Sequence, residues 1–287
     1  MTGGAEFRDE YAAIDFDGMS RRQAAASSFL PKSAEEWNRR AEGRSRREKG
    51  SDYAREFLRR VDLDGVRSVL DIGCGSGNLL LPLAARVEEA WGIDFSSGML
   101  DILARRAEEE GVAGKIRARL LAWDDDWAGV PDADVVICSR AMDVRNLKGA
   151  LQKMTAKARL RCHLTMQAGG SFIGGDVYRI VQRDIVPRPG YIFAVNLLYQ
   201  MGFRARVDFI QTHGGLEYRD DEEYVQSLEW RLGGLTADER RRLAEHAKTL
   251  PHTPEGHVLN RHEFEWAFLS WAGGAAGEAA TSAGCVL

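Results

Sequence analysis

Short apolar runs alternate with amphipathic stretches along most of this chain from Val66 onward. The apolar runs have the length of buried strands, and the stretches between them repeat apolar residues at helical spacing. The pattern predicts strands at about 67–71, 88–93, 115–121, 134–139, 160–167, 203–210 and 258–270. It predicts helices between them at about 77–86, 97–110, 146–158 and 190–201. Such alternation favours an α/β fold, in which helices cover both faces of a parallel sheet.

The pattern also divides the chain into a main domain with flanking and inserted segments. The segments predicted in order are a mobile arm without clear period (1–33), an N-terminal helical cap (34–65), the main domain (66–271) and a small-residue, disordered tail (272–287). Two insertions interrupt the main domain. The first, at about 169–190, contains glycine pairs and prolines and is predicted to form a lid. The second, at about 214–256, is predicted to hold two helices.

The stretch at residues 69–77, VLDIGCGSG, carries the most chemistry. Its apolar residues predict a strand that ends near Asp71, and a helix follows the glycines. Alternate glycines allow a sharp turn and a close approach to a ligand, because no Cβ intervenes. The helix start then directs unpaired N–H groups at that ligand. This is the pattern of a cofactor-binding turn, and a plain glycine turn is the alternative.

The glycine spacing indicates which cofactor binds. Dinucleotide sites carry G-x-G-x-x-G, whereas Gly73, Gly75 and Gly77 follow Asp71 in the order D-x-G-x-G-x-G. This stretch resembles the first motif of the class I S-adenosylmethionine (SAM) methyltransferases, closely over residues 67–167. The resemblance implies SAM as cofactor and a Rossmann-like, doubly wound, mostly parallel sheet of seven strands. It implies the antiparallel last strand of that family at 258–270.

Two further strand ends supply candidate cofactor ligands. An acidic residue at the end of the second strand accepts hydrogen bonds from ribose hydroxyls, and Asp94 stands there. The resemblance places Phe95 and Met99 on the adenine, although Met99 could be a core residue. It also places an acidic residue after the third strand on the adenine amino group. We assign that role to Asp124, beside Trp123, with the neighbouring Asp125 as the alternative.

Other candidate residues lie at the cap and at the end of the fourth strand. Ser51 is predicted to cap a helix that carries Tyr53. In methyltransferases of this kind such helices lean over the cofactor, so Trp37 and Tyr53 are candidates for its methionine end or, alternatively, core anchors. Ser139, which ends the fourth strand, faces the same crevice.

Composition narrows the possible partners. The formal net charge is −4 and the isoelectric point is near 5.9, so nucleic acid is an unlikely main partner. No apolar run reaches the length of a membrane helix, and the first residues lack a signal pattern; a cytoplasmic protein is expected. The four cysteines form no CxxC pair and the histidines show no metal spacing, which predicts no metal site. Cys138 and Cys162 are predicted to be packed thiols.

The sequence says less about the methyl acceptor, because methyl transfer from SAM depends more on the position of the nucleophile than on special side chains. Arg140 follows the fourth strand, Tyr199 lies in the helix after the lid, and His213 follows the sixth strand as the best candidate for a general base. The loop after the fourth strand lacks N/D-P-P-Y/F, the signature of many enzymes that methylate DNA bases or glutamine amides. This absence favours a small-molecule acceptor, and the sequence predicts no oligomeric state.

Two alternatives remain open. The basic stretch at 39–49 could attract an anionic substrate or RNA, which would make the chain an RNA or protein methyltransferase. The chain could instead be a non-catalytic module that only binds SAM.

Overall fold

The computed structural model describes residues 10–274, apart from residues 30, 49, 171, 172 and 174. Within helices and strands, only the backbone is described at positions 40, 42, 44–48, 170, 175, 213–215, 261 and 262. The predicted tail therefore lies almost wholly outside the described residues, as do the first nine residues of the predicted arm.

Seven strands form one sheet. They are β1 (Ser68–Ile72), β2 (Glu89–Asp94), β3 (Ile116–Leu120), β4 (Ala133–Ser139), β5 (Ala158–Gly170), β6 (Arg206–Tyr218) and β7 (Val258–Ala272). Their order across the sheet is β3-β2-β1-β4-β5-β7-β6, and β7 pairs antiparallel with both β5 and β6. This confirms the predicted doubly wound, mostly parallel sheet with an antiparallel last strand. The parallel strands end at one common edge, called the carboxyl edge below.

Ten α-helices surround the sheet in the part of the chain described. They are α1 (Phe16–Ala26), α2 (Ala34–Glu48), α3 (Asp52–Arg60), α4 (Leu80–Ala84), α5 (Ser97–Glu109), α6 (Leu147–Lys157), α7 (Gly175–Val181), α8 (Tyr191–Gln200), α9 (Asp221–Leu232) and α10 (Ala237–Ala247). Side-chain caps fix several helix starts, and the cap predicted at Ser51 is confirmed. Ser51 accepts a hydrogen bond from the backbone of Ala54, and Ser96 accepts one from Met99.

The core explains why the strands form where they do. Every residue of β1 is buried, as expected for a central parallel strand covered on both faces. On one face α3 packs against β7, where Phe57 contacts Phe268 and Tyr53 contacts Trp266. Trp266 and Phe268 stand at alternate positions of β7 and therefore share the face that α3 covers.

Three predictions about the fold need correction. The predicted arm contains α1, which packs against α6 and α8, and Tyr11 donates a hydrogen bond to Asn196. The helix predicted at 77–86 is only five residues long, because the glycine turn extends further than expected. The sixth strand does not end near residue 210: β6 continues to Tyr218, and with β7 it forms a ribbon that extends beyond the end of β5.

A second apolar cluster sits on this ribbon, above the carboxyl edge. It joins α7, α9 and α10 to the end of β6 and the start of β7, and its largest fully buried side chain is Tyr224. Both predicted insertions contribute to it, the lid through Val177 and the helical insertion through Leu228. The two helices predicted in the second insertion are confirmed.

The core also contains buried thiols and a buried histidine. Cys138 and Cys162 are packed thiols, as predicted. His163 is buried against Phe268, and neither ring nitrogen finds a hydrogen-bond partner among the described residues. Burial lowers the pKa of His163 to about 4, so the ring is neutral at physiological pH. In the described part of the chain, no helix is long and apolar enough to cross a membrane.

Candidate cofactor and acceptor site

The glycine turn after β1 is built so that one glycine faces open space. Gly73, Gly75 and Gly77 have φ values of 72°, 53° and 83°, which side chains rarely adopt. A Cβ at Gly73 would lie 2.3 Å from the Ala141 Cβ, and one at Gly77 would lie 2.4 Å from the Leu103 Cδ1. A Cβ at Gly75 would meet nothing within 4 Å. The outer glycines therefore serve packing, whereas Gly75 leaves its backbone open to a ligand.

Asp94, at the end of β2, is bonded to this turn. Its two carboxylate oxygens accept hydrogen bonds of 2.8 Å from the backbone N–H groups of Gly75 and Ser96. Burial raises the pKa of Asp94, and these backbone hydrogen bonds oppose the shift. A carboxylate has about four acceptor positions, so these bonds leave acceptor capacity for a ligand.

Asp71 lies deeper in the same crevice, where both burial and the nearby charge of Asp94 disfavour its ionised form. Its side chain is buried, and Oδ1 has no hydrogen-bond partner among the described residues. Burial, together with the charge of Asp94, raises the pKa of Asp71 to about 8. A positive charge placed beside such a buried carboxyl group would stabilise its ionised form.

These observations test whether the site fits SAM, which carries a sulfonium and an ammonium group. The orphaned Asp71 oxygen and the neighbouring Asp94 supply negative charge for a cation. The open side of Gly75 supplies the space for close approach. The donor set therefore fits this cofactor.

The titration of Asp71 predicts that SAM binding releases a proton. A cation beside Asp71 favours its ionised form, so below about pH 8 the free protein must lose a proton on binding. Affinity should then fall by up to about tenfold per pH unit as the pH drops below 8. Calorimetry at pH 7 in two buffers of different ionisation enthalpy measures the released proton.

Asp71→Asn is the control for this linkage, because it keeps the shape and removes the titration. Any proton that SAM itself gains or loses on binding is the same for the variant and the wild-type protein. The difference in proton release between the two proteins therefore comes from Asp71. Equal proton release from both proteins would contradict the prediction.

Helix α2 closes over the Asp94 end of the crevice. The Asn38 Oδ1 accepts hydrogen bonds from the Ser96 hydroxyl at 2.7 Å and from the Gly98 N–H at 3.0 Å. Trp37, the preceding residue, packs edge-on against Trp230 of α9. The predicted place of Trp37 at the methionine end is therefore corrected, because this residue lies on the β2–α5 side, beside the predicted ribose ligand.

The two residues predicted for the adenine differ in exposure. Met99 is buried with Ala41 and Ile102 beneath α2, as in the core alternative. Phe95 is 39% exposed and could cover a ring without rearrangement. Both adenine contacts stay predictions.

The turn after β3 is fixed by its tryptophans. Trp123 stacks on Trp127, and its Nε1 donates to the Ala141 carbonyl at 2.9 Å. Asp125 is occupied locally, since its carboxylate accepts the Ala122 N–H at 2.7 Å. Asp124 is exposed. Between the two aspartates, this arrangement favours Asp124 as the adenine ligand, and that role stays a prediction.

A polar cluster occupies the carboxyl edge at β4 and β5. The Tyr53 Oη of α3 lies 2.6 Å from the Ser139 Oγ and 2.5 Å from the Thr165 Oγ1. The Arg140 N–H donates to the same Thr165 hydroxyl at 3.2 Å. Burial raises the pKa of Tyr53, so its phenol stays protonated at neutral pH. Three elements are thereby tied together beside the glycine turn.

Arg140 is held in a conformation that costs energy. Its φ is 55°, in the left-handed region that residues other than glycine, asparagine and aspartate rarely adopt. Its guanidinium lies 4.2 Å from the Tyr53 ring centroid and 5.7 Å from that of Trp266. Backbone strain of about 1–3 kcal/mol persists only where the surroundings fix it, and it concentrates at functional sites. The cation–π contacts with these rings supply that support.

The other two residues predicted to be catalytic do not join this cluster. Tyr199 lies in the last turn of α8, which leads to the start of β6 at the opposite edge of the sheet, and it packs edge-on against Tyr11. Its predicted place at the carboxyl edge is wrong. His213 lies within β6, opposite Glu263, rather than after the strand, and its side chain lies outside the described part. Its role as a base stays a prediction.

Sequence analysis missed four residues of this site. Asn38, Thr165 and Trp266 reach it through tertiary packing, and no local motif marks them. Arg106 of α5 is buried, and its Nη1 donates to the Ser76 carbonyl at 2.8 Å and to the Asn78 Oδ1 at 2.7 Å, which secures the glycine turn from its far side. A buried arginine on an apolar helix face is visible only in the fold.

Comparisons with known proteins agree with this geometry. Residues 69–159 match the family model described as a methyltransferase domain. An uncharacterized protein of Haemophilus influenzae is 33% identical over 226 residues, which cover 78% of this chain and 82% of that protein. The match to the family model spans the glycine turn, Asp94 and the end of β4.

Two further similarities cover different shares of the chain. The trans-aconitate 2-methyltransferase of Rhodococcus jostii is 32% identical over 119 residues, which are 41% of this chain and 44% of that enzyme. The chain thus spans less than half the length of that relative. The crystal structure of the YcgJ protein from Bacillus subtilis has the same fold, with a TM-score of 0.53 and 15% identity over 77% of this chain and 97% of that one.

Proposed function

We propose that this chain, as a class I SAM-dependent methyltransferase, transfers the methyl group to a small molecule held at the carboxyl edge. It is an enzyme, and SAM is its cofactor. When bound, SAM supplies a methyl group on a positively charged sulfur, which leaves as a neutral thioether. The observation that carries the proposal is the strained, aromatic-held Arg140 beside the glycine turn.

The cofactor half of the crevice would be held by residues already described. Asp94 would accept hydrogen bonds from the ribose hydroxyls, and Asp71 would balance the positive charge. The open backbone at Gly75 would lie against the cofactor. These residues orient the donor and leave the end of β4 for the acceptor.

The acceptor half is arranged by the polar cluster. Arg140 would contact the acceptor through its guanidinium, which attracts an electron-rich group to the reacting position. Tyr53 and Trp266 are positioning residues, because they act by fixing Arg140. Holding the nucleophile in line and close supplies much of the catalysis in such a displacement.

The segment that covers the carboxyl edge favours a small methyl acceptor. Residues 27–29 cross above this edge and are bonded to the lid segment: the Ser28 N–H donates to the Val186 carbonyl at 3.0 Å, and Arg188 donates to the Phe29 carbonyl at 3.2 Å. A covered crevice admits a small molecule more readily than a folded RNA or protein. The name of the partial relative, trans-aconitate 2-methyltransferase, also describes a small acceptor.

Transfer of radiolabelled methyl groups into fractions of a cell extract tests the acceptor class. The extract is separated into metabolites, RNA and protein, and each fraction is incubated with the enzyme and labelled SAM. We expect label in the metabolite fraction. Label confined to RNA would overturn the proposal and favour the basic stretch at 39–49, most of whose side chains lie outside the described part.

Arg140→Met is expected to lower the rate of methyl transfer about tenfold and to leave the Kd for SAM unchanged. Methionine keeps the length of the side chain and loses the charge, which is worth about 1.5 kcal/mol in one charged hydrogen bond. Initial rates with the active metabolite fraction at saturating SAM measure the effect. Arg117→Met, on exposed β3, is the matched control. An unchanged rate in Arg140→Met would contradict the assignment.

A further inference from the structure

A cavity of about 80 Å³ lies behind the polar cluster, between α1, the loop after β4 and the lid segment. Part of its wall is apolar, with Phe29 from the crossing segment, Met142 from the loop and Met166 from β5. The rest is charged and contains Asp143, Arg145 and Arg188, which is a pattern of polar groups converging on an apolar space.

The cavity adjoins the position where the methyl group would be transferred. Met142 directly follows Ala141, the residue on which Gly73 packs. Met166 directly follows Thr165, whose hydroxyl accepts the Arg140 N–H. Successive residues of a strand point to opposite faces, so Met166 lies on the α6 side of the sheet and Thr165 on the α3 side. Met142 lies in the loop after β4 and Met166 in the second half of β5, which places the cavity at the same carboxyl edge as the polar cluster. An acceptor that extends across this edge therefore reaches the cavity and the polar cluster together.

The charges of the wall favour an anion. Arg188 forms an ion pair with Asp143, so these two charges cancel. Arg145 is exposed at the rim of the cavity and has no hydrogen-bond or ion-pair partner among the described residues. Two arginines against one aspartate leave a net charge of about +1 on the wall, which matches a monovalent anion.

We propose that this cavity is a subsite for a carboxylate group of the methyl acceptor, with Arg145 as its main ligand. The proposal rests on the proposed function, since it gives that acceptor a chemical class. Arginine presents a planar fork of donors that fits a carboxylate with two parallel hydrogen bonds.

The size of the cavity agrees with one end of such a molecule. An engineered cavity of roughly 150 Å³ binds benzene, with six heavy atoms. By that scale about 80 Å³ holds about three heavy atoms, which is one carboxylate group, and the carbon chain attached to it extends along the apolar wall toward the polar cluster. The apolar wall suits the attached carbon, whereas a phosphate would place a fourth oxygen and a second charge against it.

Binding of propionate to the enzyme saturated with S-adenosylhomocysteine tests the subsite. Propionate has five heavy atoms, and we expect binding in the millimolar range by ligand-observed nuclear magnetic resonance, about 4 kcal/mol, which is within the limit for so small a ligand. Propionamide, of the same shape without charge, should bind at least tenfold more weakly. Arg145→Met should weaken propionate binding about tenfold and leave the Kd for S-adenosylhomocysteine unchanged.

The controls separate this inference from the proposed function. Arg117→Met removes an arginine from the distant β3 and should change neither affinity. Equal binding of propionate and propionamide, tighter binding of inorganic phosphate than of propionate, or an unchanged affinity in Arg145→Met would each overturn the subsite. Failure of S-adenosylhomocysteine to bind the wild-type enzyme would instead overturn the proposed function.

Discussion

Asp94→Ala is expected to weaken SAM binding about a hundredfold and to lower the free energy of unfolding by about 1–3 kcal/mol. The binding loss corresponds to about two charged hydrogen bonds to the ribose, at about 1.5 kcal/mol each. The loss of stability has a separate cause: the N–H groups of Gly75 and Ser96 lose the acceptor that now holds them at 2.8 Å. Calorimetric titration and urea unfolding measure the two effects independently.

Asp94→Asn separates charge from shape. The amide keeps the volume of the carboxylate and one acceptor oxygen, but its NH2 group faces the other backbone N–H. We therefore expect Asp94→Asn to recover only part of the stability and to remain about tenfold weaker in binding. Glu89→Ala, at the exposed start of the same strand, is the matched control and should be neutral in both measurements. A Kd unchanged in Asp94→Ala would remove Asp94 from the cofactor site.

The part of the fold near the cofactor could be predicted because its signals are local. Asp71 and the three glycines lie within seven residues, and Asp94 follows at the end of the next strand. Each buried parallel strand is a short apolar run, so the predicted bounds of β1, β2 and β4 agree with the structure to within one or two residues.

Predictions failed where tertiary packing decides. β6 runs past residue 210 because β7 pairs with it along thirteen positions, and a polar sequence such as QTHGGLEY gives no local sign of that pairing. α1 lacks a strong apolar stripe, and its position depends on contacts with α6 and α8. The error about Tyr199 has a related cause. The sequence predicts that Tyr199 lies in α8, but it does not predict which end of α8 faces the site.

The acceptor side shows the same limit. Arg140 was predicted from its place after β4, whereas the contacts that hold it come from Tyr53 on α3 and Trp266 on β7. These three residues are far apart in the sequence, and no spacing rule joins them. A positive φ at an arginine is a property of the folded chain alone.

Gly75→Asn is expected to abolish measurable SAM binding, with a loss of about a hundredfold or more, while the protein stays folded. Asparagine tolerates the left-handed conformation that Gly75 adopts at φ 53° better than most residues. Its Cβ would meet no protein atom within 4 Å, so the fold has room for it. The added side chain would occupy the space that a bound cofactor needs, and overpacking of about 3 kcal/mol corresponds to that loss.

Gly111→Asn is the matched control, because Gly111 also has a positive φ of 70° and open space at its Cβ, but lies after the end of α5. It should change neither stability nor binding. Gly77→Asn should differ from both, since its Cβ would meet Leu103 at 2.4 Å and destabilise the fold itself. If Gly75→Asn bound SAM as tightly as the wild-type enzyme, the cofactor would not lie against this turn, and the charge on Asp71 would need another partner.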